Sequence, residues 1–216
     1  TGSGKSTTMS AIINEINNNQ RRNIITLEDP IEYIFKNNKS MIKQREINFD
    51  TKSFSRGVRA SLRQDPDVIL LGEMRDFETI NAAIMAAETG HLVISTLHTQ
   101  GAAKTIDRII NAFPPHQQNQ VRSQLASVLQ GVISQILLKN NSNNGRVVAY
   151  EIMLANHAVK NLIREGAIHQ LQNVIQTNSK IGMVTMDTYL QYLVNEGRIS
   201  HKIASENMVE EKIFLS

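Results

Sequence analysis

The sequence predicts an α/β domain, a mostly parallel central sheet flanked by helices, followed by a small helical subdomain. Three observations carry this. Short apolar runs at residues 23–27, 68–71 and 92–96 alternate with segments whose apolar residues recur every three to four positions. That alternation is the pattern of buried parallel strands joined by amphipathic helices. The chain also opens on Thr-Gly-Ser-Gly-Lys-Ser-Thr-Thr, a glycine-rich stretch leading into a helix. Beyond Ala155 the strand pattern stops, so the expected division is 1–154 for the α/β core and 155–216 for the helical part.

Taken in order, residues 6–16 read as a helix with Met9, Ile12, Ile13 and Ile16 on one face. A polar turn leads to a buried strand at 23–27, stopped by Glu28-Asp29-Pro30. Residues 41–47 read as a more exposed extended segment, 53–62 as a helix, and 68–71 as a strand for the centre of a sheet. A helix at 79–88 closes on Gly90, and 92–96 reads as a further buried strand. Helix 103–111 is broken by Pro114-Pro115 before a long helix at 117–129. Two strands, 132–138 and 146–152, flank an Asn144-Gly145 turn. Four helices follow, at 158–165, 168–177, 186–195 and 201–208, with Gly166 and Gly197 as stops.

Composition narrows the classes. The 216 residues are 41% apolar and 20% charged, ordinary for a globular protein. No apolar run approaches the roughly 18–20 residues of a membrane helix, so direct membrane insertion is not expected. The net charge is +3 with Lys and Arg scattered rather than striped, which gives no basis for nucleic-acid binding. The chain has no Cys, which excludes disulfides and thiolate metal sites.

The opening octet matches the end of the phosphate-loop pattern, Gly, four residues, then Gly-Lys-Ser/Thr. In such a loop, backbone N–H groups and a helix N-terminus converge on nucleotide phosphates. Thr1, Gly2, Ser3, Gly4, Lys5, Ser6 and Thr7 are therefore the candidate ATP-phosphate residues, with Lys5 reaching the β and γ phosphates and Ser6 ligating Mg²⁺. The first Gly of the pattern, one spacer and the preceding strand lie outside the sequence. The chain is accordingly expected to be part of a larger protein and, alone, to be poorly stable and to bind ATP weakly.

Phosphoryl transfer also needs carboxylates, and open α/β sheets place such groups at the C-terminal ends of their strands. Val68-Ile69-Leu70-Leu71-Gly72-Glu73 ends in one. Glu28-Asp29-Pro30-Ile31-Glu32 ends the earlier strand in three, and Ser95-Thr96-Leu97-His98-Thr99 ends a third strand with a histidine. Each alone fits a solvated strand end; together, behind a phosphate loop, they point to a hydrolytic site.

These segments carry a resemblance. Residues 62–76, Leu-Arg-Gln-Asp-Pro-Asp-Val-Ile-Leu-Leu-Gly-Glu-Met-Arg-Asp, resemble the signature of the type II/IV secretion ATPase superfamily. Residues 25–32 resemble its "Asp box" and residues 90–99 its "His box". Residues 158–166, Ala-Val-Lys-Asn-Leu-Ile-Arg-Glu-Gly, are similar to a tail segment of the pilus-retraction members.

The resemblance implies a RecA-like P-loop NTPase core hydrolysing ATP with Mg²⁺. It gives Glu73 the Walker B role on Mg²⁺ and the attacking water, Glu32 and Glu28 supporting roles, His98 contact with the γ-phosphate and His91 stabilisation of the same region. Arg63, then Arg75 and Arg108, become candidates for charge stabilisation, in cis or from a neighbouring subunit. It further implies a homo-hexameric motor at the cytoplasmic face of the bacterial inner membrane, working with type IV pilus platform proteins in retraction. Extension and secretion members usually carry a tetracysteine insert, absent here. A motor for pilus assembly or type II secretion, and a non-catalytic fragment, remain the alternatives.

Overall fold

The computed structural model describes residues 2–142 and 145–208. Along the chain the first elements are α1 (Lys5–Asn19), β1 (Asn23–Glu28), β2 (Met41–Glu46), α2 (Phe54–Ser61), β3 (Val68–Leu71), α3 (Phe77–Glu88) and β4 (Leu92–Ser95). They are followed by α4 (Ala102–Asn111), α5 (Gln118–Val128), β5 (Gly131–Lys139), β6 (Arg146–Leu154), α6 (His157–Glu165), α7 (Leu171–Thr177), α8 (Met186–Asn195) and α9 (His201–Ser205). The chain packs into two compact units. A sheet unit comprises Lys5–His98 and Ile109–Val128; a hairpin unit comprises Thr1–Gly4, Thr99–Arg108 and Leu129–Ser216. The boundary expected at 154/155 falls inside the hairpin unit.

In the sheet unit the strand order is β2-β1-β3-β4, with every pairing parallel. Side chains alternate between the two faces of a strand. Ile24, Val68 and Leu70 pack with Ile13 and Ile16 of α1, whereas Leu27, Ile69 and Leu71 pack with Val58 of α2 and Ala82, Ala83 and Ala86 of α3. A strand covered on both faces has no polar side to present, which is why β3 is Val-Ile-Leu-Leu and buried throughout.

The residue preceding each helix sets where it begins. Ser53 accepts a hydrogen bond from the Arg56 amide and starts α2. Asp76 accepts from the Thr79 amide at 2.7 Å and starts α3 two residues earlier than periodicity suggests. Gly90, at φ +99°, ends α3 as expected. β4 differs from the expected buried strand: among the described residues it pairs with β3 alone, and Leu92 is 41% exposed.

In the hairpin unit, β5 and β6 form a nine-pair antiparallel ladder from Gly131↔Leu154 to Lys139↔Arg146. Leu138, Val147 and Ala149 of this ladder bury against Met186, Leu190, Leu193 and Val194 of α8. Asn156 and Thr185 cap α6 and α8, and Gly166, at φ +73°, stops α6. The expected helix at 168–177 begins as a 3₁₀ turn, Ile168–Gln170, before α7, and the last expected helix is shorter, ending at Ser205. Asn144 of the expected turn lies outside the described residues, as does Thr1.

Candidate functional site

The C-terminal edge of the sheet unit gathers most of the polar strand ends. The Gly72 amide donates to the Leu27 carbonyl (2.8 Å), Thr96 Oγ1 donates to the Gly72 carbonyl (2.7 Å), and the Met74 amide donates to the Thr96 carbonyl (2.9 Å). These bonds stitch the ends of β1, β3 and β4 together and fix the backbone on both sides of Glu73.

Glu73 is 8% exposed. Its Oε2 forms an ion pair with Arg75 Nε at 2.6 Å and a hydrogen bond with His98 Nε2 at 3.2 Å. A carboxylate only accepts, so this bond needs the proton on Nε2 of His98. A buried carboxylate requires such partners. Both partners are open to solvent, Arg75 with 70% and His98 with 50% of the side chain exposed, so the group is held in place yet reachable from one side. On the neighbouring strand, Glu28 Oε1 accepts from Thr26 Oγ1 (2.6 Å) and Gln44 Nε2 (3.1 Å), which fixes the second acidic strand end. Glu32 is exposed.

The segment after Glu32 returns to the start of α1, where Tyr33 Oη and Thr7 Oγ1 lie 3.0 Å apart. α1 itself begins at Lys5, with Ser6 and Thr7 in its first turn and no acidic residue there. In the hairpin unit, Gly2 and Gly4 hold φ of +79° and +86°, a left-handed backbone that turns successive N–H groups toward one side. The Ser3 carbonyl between them accepts from Gln135 Nε2 of β5 at 2.7 Å, and a Cβ on Gly4 would meet the same nitrogen at 3.1 Å.

A helix start with Lys5 and no carboxylate in its first turn suits an anionic phosphate chain. No group of three or more His, Asp or Glu able to hold a metal occurs among the described residues.

Two candidates lie elsewhere. His91 precedes β4, so the strand, roughly 13 Å long at about 3.3 Å per residue, separates it from the Glu73 end. Its Nδ1 lies 2.9 Å from the Ala86 carbonyl and 3.1 Å from Thr89 Oγ1, serving the C-terminus of α3. Arg63 follows α2 and precedes β3, at the N-terminal edge of the sheet, so the chain does not bring it to its own Glu73. Arg75, ranked behind Arg63 on sequence, is the arginine that contacts Glu73. Gln135 and Tyr33 were not singled out by sequence reasoning. Gln135 carries no motif, and Tyr33 follows the Asp box by a single position.

The model of the "Type II/IV secretion system protein" family matches residues 1–202. A twitching motility protein of Neisseria gonorrhoeae is 55% identical over 94% of this chain and 54% of its own length. The type IV pilus retraction ATPase PilT of Pseudomonas aeruginosa is 51% identical over 95% of this chain and 60% of its own length. The chain thus spans somewhat over half of the curated relatives it matches. Among solved structures, that of the pilus retraction motor PilT with bound ADP superposes with a TM-score of 0.91 at 50% identity, covering 97% of this chain and 59% of that one. The architecture is therefore the RecA-like α/β one expected, and the chain belongs to the type II/IV secretion system protein family.

Proposed function

We propose that this chain forms the ATP-hydrolysing part of a motor that powers type IV pilus retraction. The observation that carries the reading is Glu73, a buried carboxylate at the C-terminal end of β3, hydrogen-bonded to His98 from the end of β4. The relatives' names, a twitching motility protein and a pilus retraction ATPase, support the retraction branch. The lack of Cys speaks against the assembly and secretion branches.

In this reading Gly2, Gly4, the α1 start and Lys5 bind the ATP phosphates, and Ser6 Oγ and Glu73 would hold Mg²⁺, which would supply charge neutralisation on the phosphate oxygens. Glu73 orients a water and takes its proton as the water oxygen bonds to the γ-phosphorus and the bridging P–O bond breaks, releasing ADP and phosphate. His98 stands beside Glu73 where the γ-phosphate would sit. Glu28 and the exposed Glu32 shape the acidic edge. Arg75 keeps Glu73 aligned. Arg63, placed away from its own site, suits a neighbour's phosphate in a homo-hexamer. Such a ring would work against pilus platform proteins at the cytoplasmic face of the inner membrane.

The test is Glu73→Gln in the purified complete protein. The amide keeps the size of the side chain but is no base. Turnover is expected to fall by at least about 100-fold, with ATP affinity within about threefold. Hydrolysis at the parental rate would remove Glu73 from this role.

A further inference from the structure

A second buried carboxylate, Glu151 of β6, is 2% exposed and is not used by the reaction above. Its surroundings lie entirely within the hairpin unit. Oε1 accepts from the Ala102 amide at 2.7 Å, in the first turn of α4. Oε2 lies 3.4 Å from the Met186 amide, in the first turn of α8, and 3.4 Å from Gln172 Nε2 of α7. Ser134, the cross-strand partner of Glu151 on β5, accepts from the Gly101 amide at 2.9 Å.

α4 has a particular need for this. The residue before it is Gly101, which has no side chain to cap a helix. The first N–H groups of a helix lack partners within it. Here the Gly101 and Ala102 amides are served from outside, by Ser134 and Glu151. Thr105 closes the same turn, donating to the Gly101 carbonyl at 2.8 Å with its Oγ1 2.8 Å from that of Thr99. Thr99 is the residue next to His98. The start of α4 and the turn that bears His98 are thus continuous chain, and the hairpin grips that chain through two side chains.

We propose that Glu151, with Ser134, is a positioning residue that sets His98 by fixing the start of α4, and that ties this start to that of α8 through one carboxylate. The proposal rests on the reading that His98 faces the nucleotide. One carboxylate serves two helix starts because both of its oxygens accept. An amide at the same place has one oxygen, so it must turn an N–H toward one of the two helix starts.

The experiment compares the parent with Glu151→Gln and Ser134→Ala in the complete protein. Three readouts are followed: amide hydrogen exchange, the ring chemical shifts of His98 by NMR, and ATP turnover. In Glu151→Gln, exchange at Ala102 or Met186 is expected to rise by about tenfold or more. The His98 ring signals move, and kcat falls about tenfold while KM for ATP stays within about twofold. Ser134→Ala moves the Gly101 amide and His98 in the same direction by less, and decides the matter should Glu151→Gln fail to fold. Parental exchange at both amides overturns the proposal, as does altered exchange with the His98 ring signals and kcat unchanged. A parent that neither hydrolyses nor binds ATP sinks the motor reading instead, and the amide exchange and His98 ring signals then decide the positioning role by themselves.

Discussion

Asp67, at the N-terminal edge of the sheet, is held by a backbone amide and an arginine side chain together. Its Oδ2 accepts from the Asn23 amide at 2.7 Å and its Oδ1 from Arg22 at 3.1 Å. The amide bond first, and Arg22 after it, hold its carboxyl below the ordinary value of 3.8 against an opposing effect of burial. A carboxylate whose folded pKa is depressed stabilises the fold above its unfolded pKa and ceases to do so as pH falls through the folded one. Asp67→Asn should therefore be less stable than the parent at pH 7. The gap should close as the pH drops below about 3.8, the ordinary pKa, where the parent loses its own carboxylate. Melting both proteins across that range checks it; a gap independent of pH would assign the effect to shape alone. The same contrast between local and distant partners decides what sequence could reveal at this scale. Glu73 was legible because a carboxylate that ends an all-apolar strand behind a phosphate loop stands where such sheets bind their ligands. Gln135 was not, since its bond to Ser3 spans 132 positions and an amide within a strand leaves no local signal. His91 was misleading for a related reason: membership of a motif says nothing about which end of the strand a residue occupies.

At the scale of elements, helix and strand identity followed from periodicity, and helix starts from caps such as Ser53, Asp76 and Asn156. What periodicity leaves open is where a strand stands in the sheet. A four-residue apolar run reads alike at the centre and at the edge. β3 and β4 are such a pair, one wholly buried and the other an edge strand. Close approach between layers is another property that only packing reveals. Gly57 lies inside α2, where Ala would normally be preferred by up to about 1 kcal/mol. A Cβ there would meet the side chain of Leu27 on β1 at 2.8 Å, and Leu27 is fully buried with little room to give way. Overpacking of this kind costs about 1–3 kcal/mol, enough to outweigh the propensity gain. Gly57→Ala should lower stability by about 1–2 kcal/mol in denaturant titration. A more stable variant would mean that Leu27 can move aside, and that α2 is not held against β1 by the missing side chain.

At the scale of the whole chain, the two outer strands of the parallel sheet among the described residues differ. Edge strands carry unpaired backbone groups, and charged side chains are a common means of keeping other chains away from them. β2 has that protection in Lys43, Arg45 and Glu46. β4, Leu92-Val93-Ile94-Ser95, has no charge, and Leu92 is 41% exposed. Ser95 Oγ is buried without a hydrogen-bond partner among the described residues, a further polar group left unserved on this strand. An apolar parallel strand paired on one side alone among the described residues is a template for another extended chain, and in a purified sample of these 216 residues the available one is a second copy. Sedimentation velocity should then show association that grows with protein concentration. Leu92→Lys is the discriminating variant, because its side chain already faces solvent and the Leu92 amide keeps its bond to the Asp67 carbonyl. The variant should remain monomeric across the same concentrations with an unchanged melting temperature. If it associates as the parent does, the contact lies elsewhere; if the parent is monomeric throughout, the β4 edge is not a template at all.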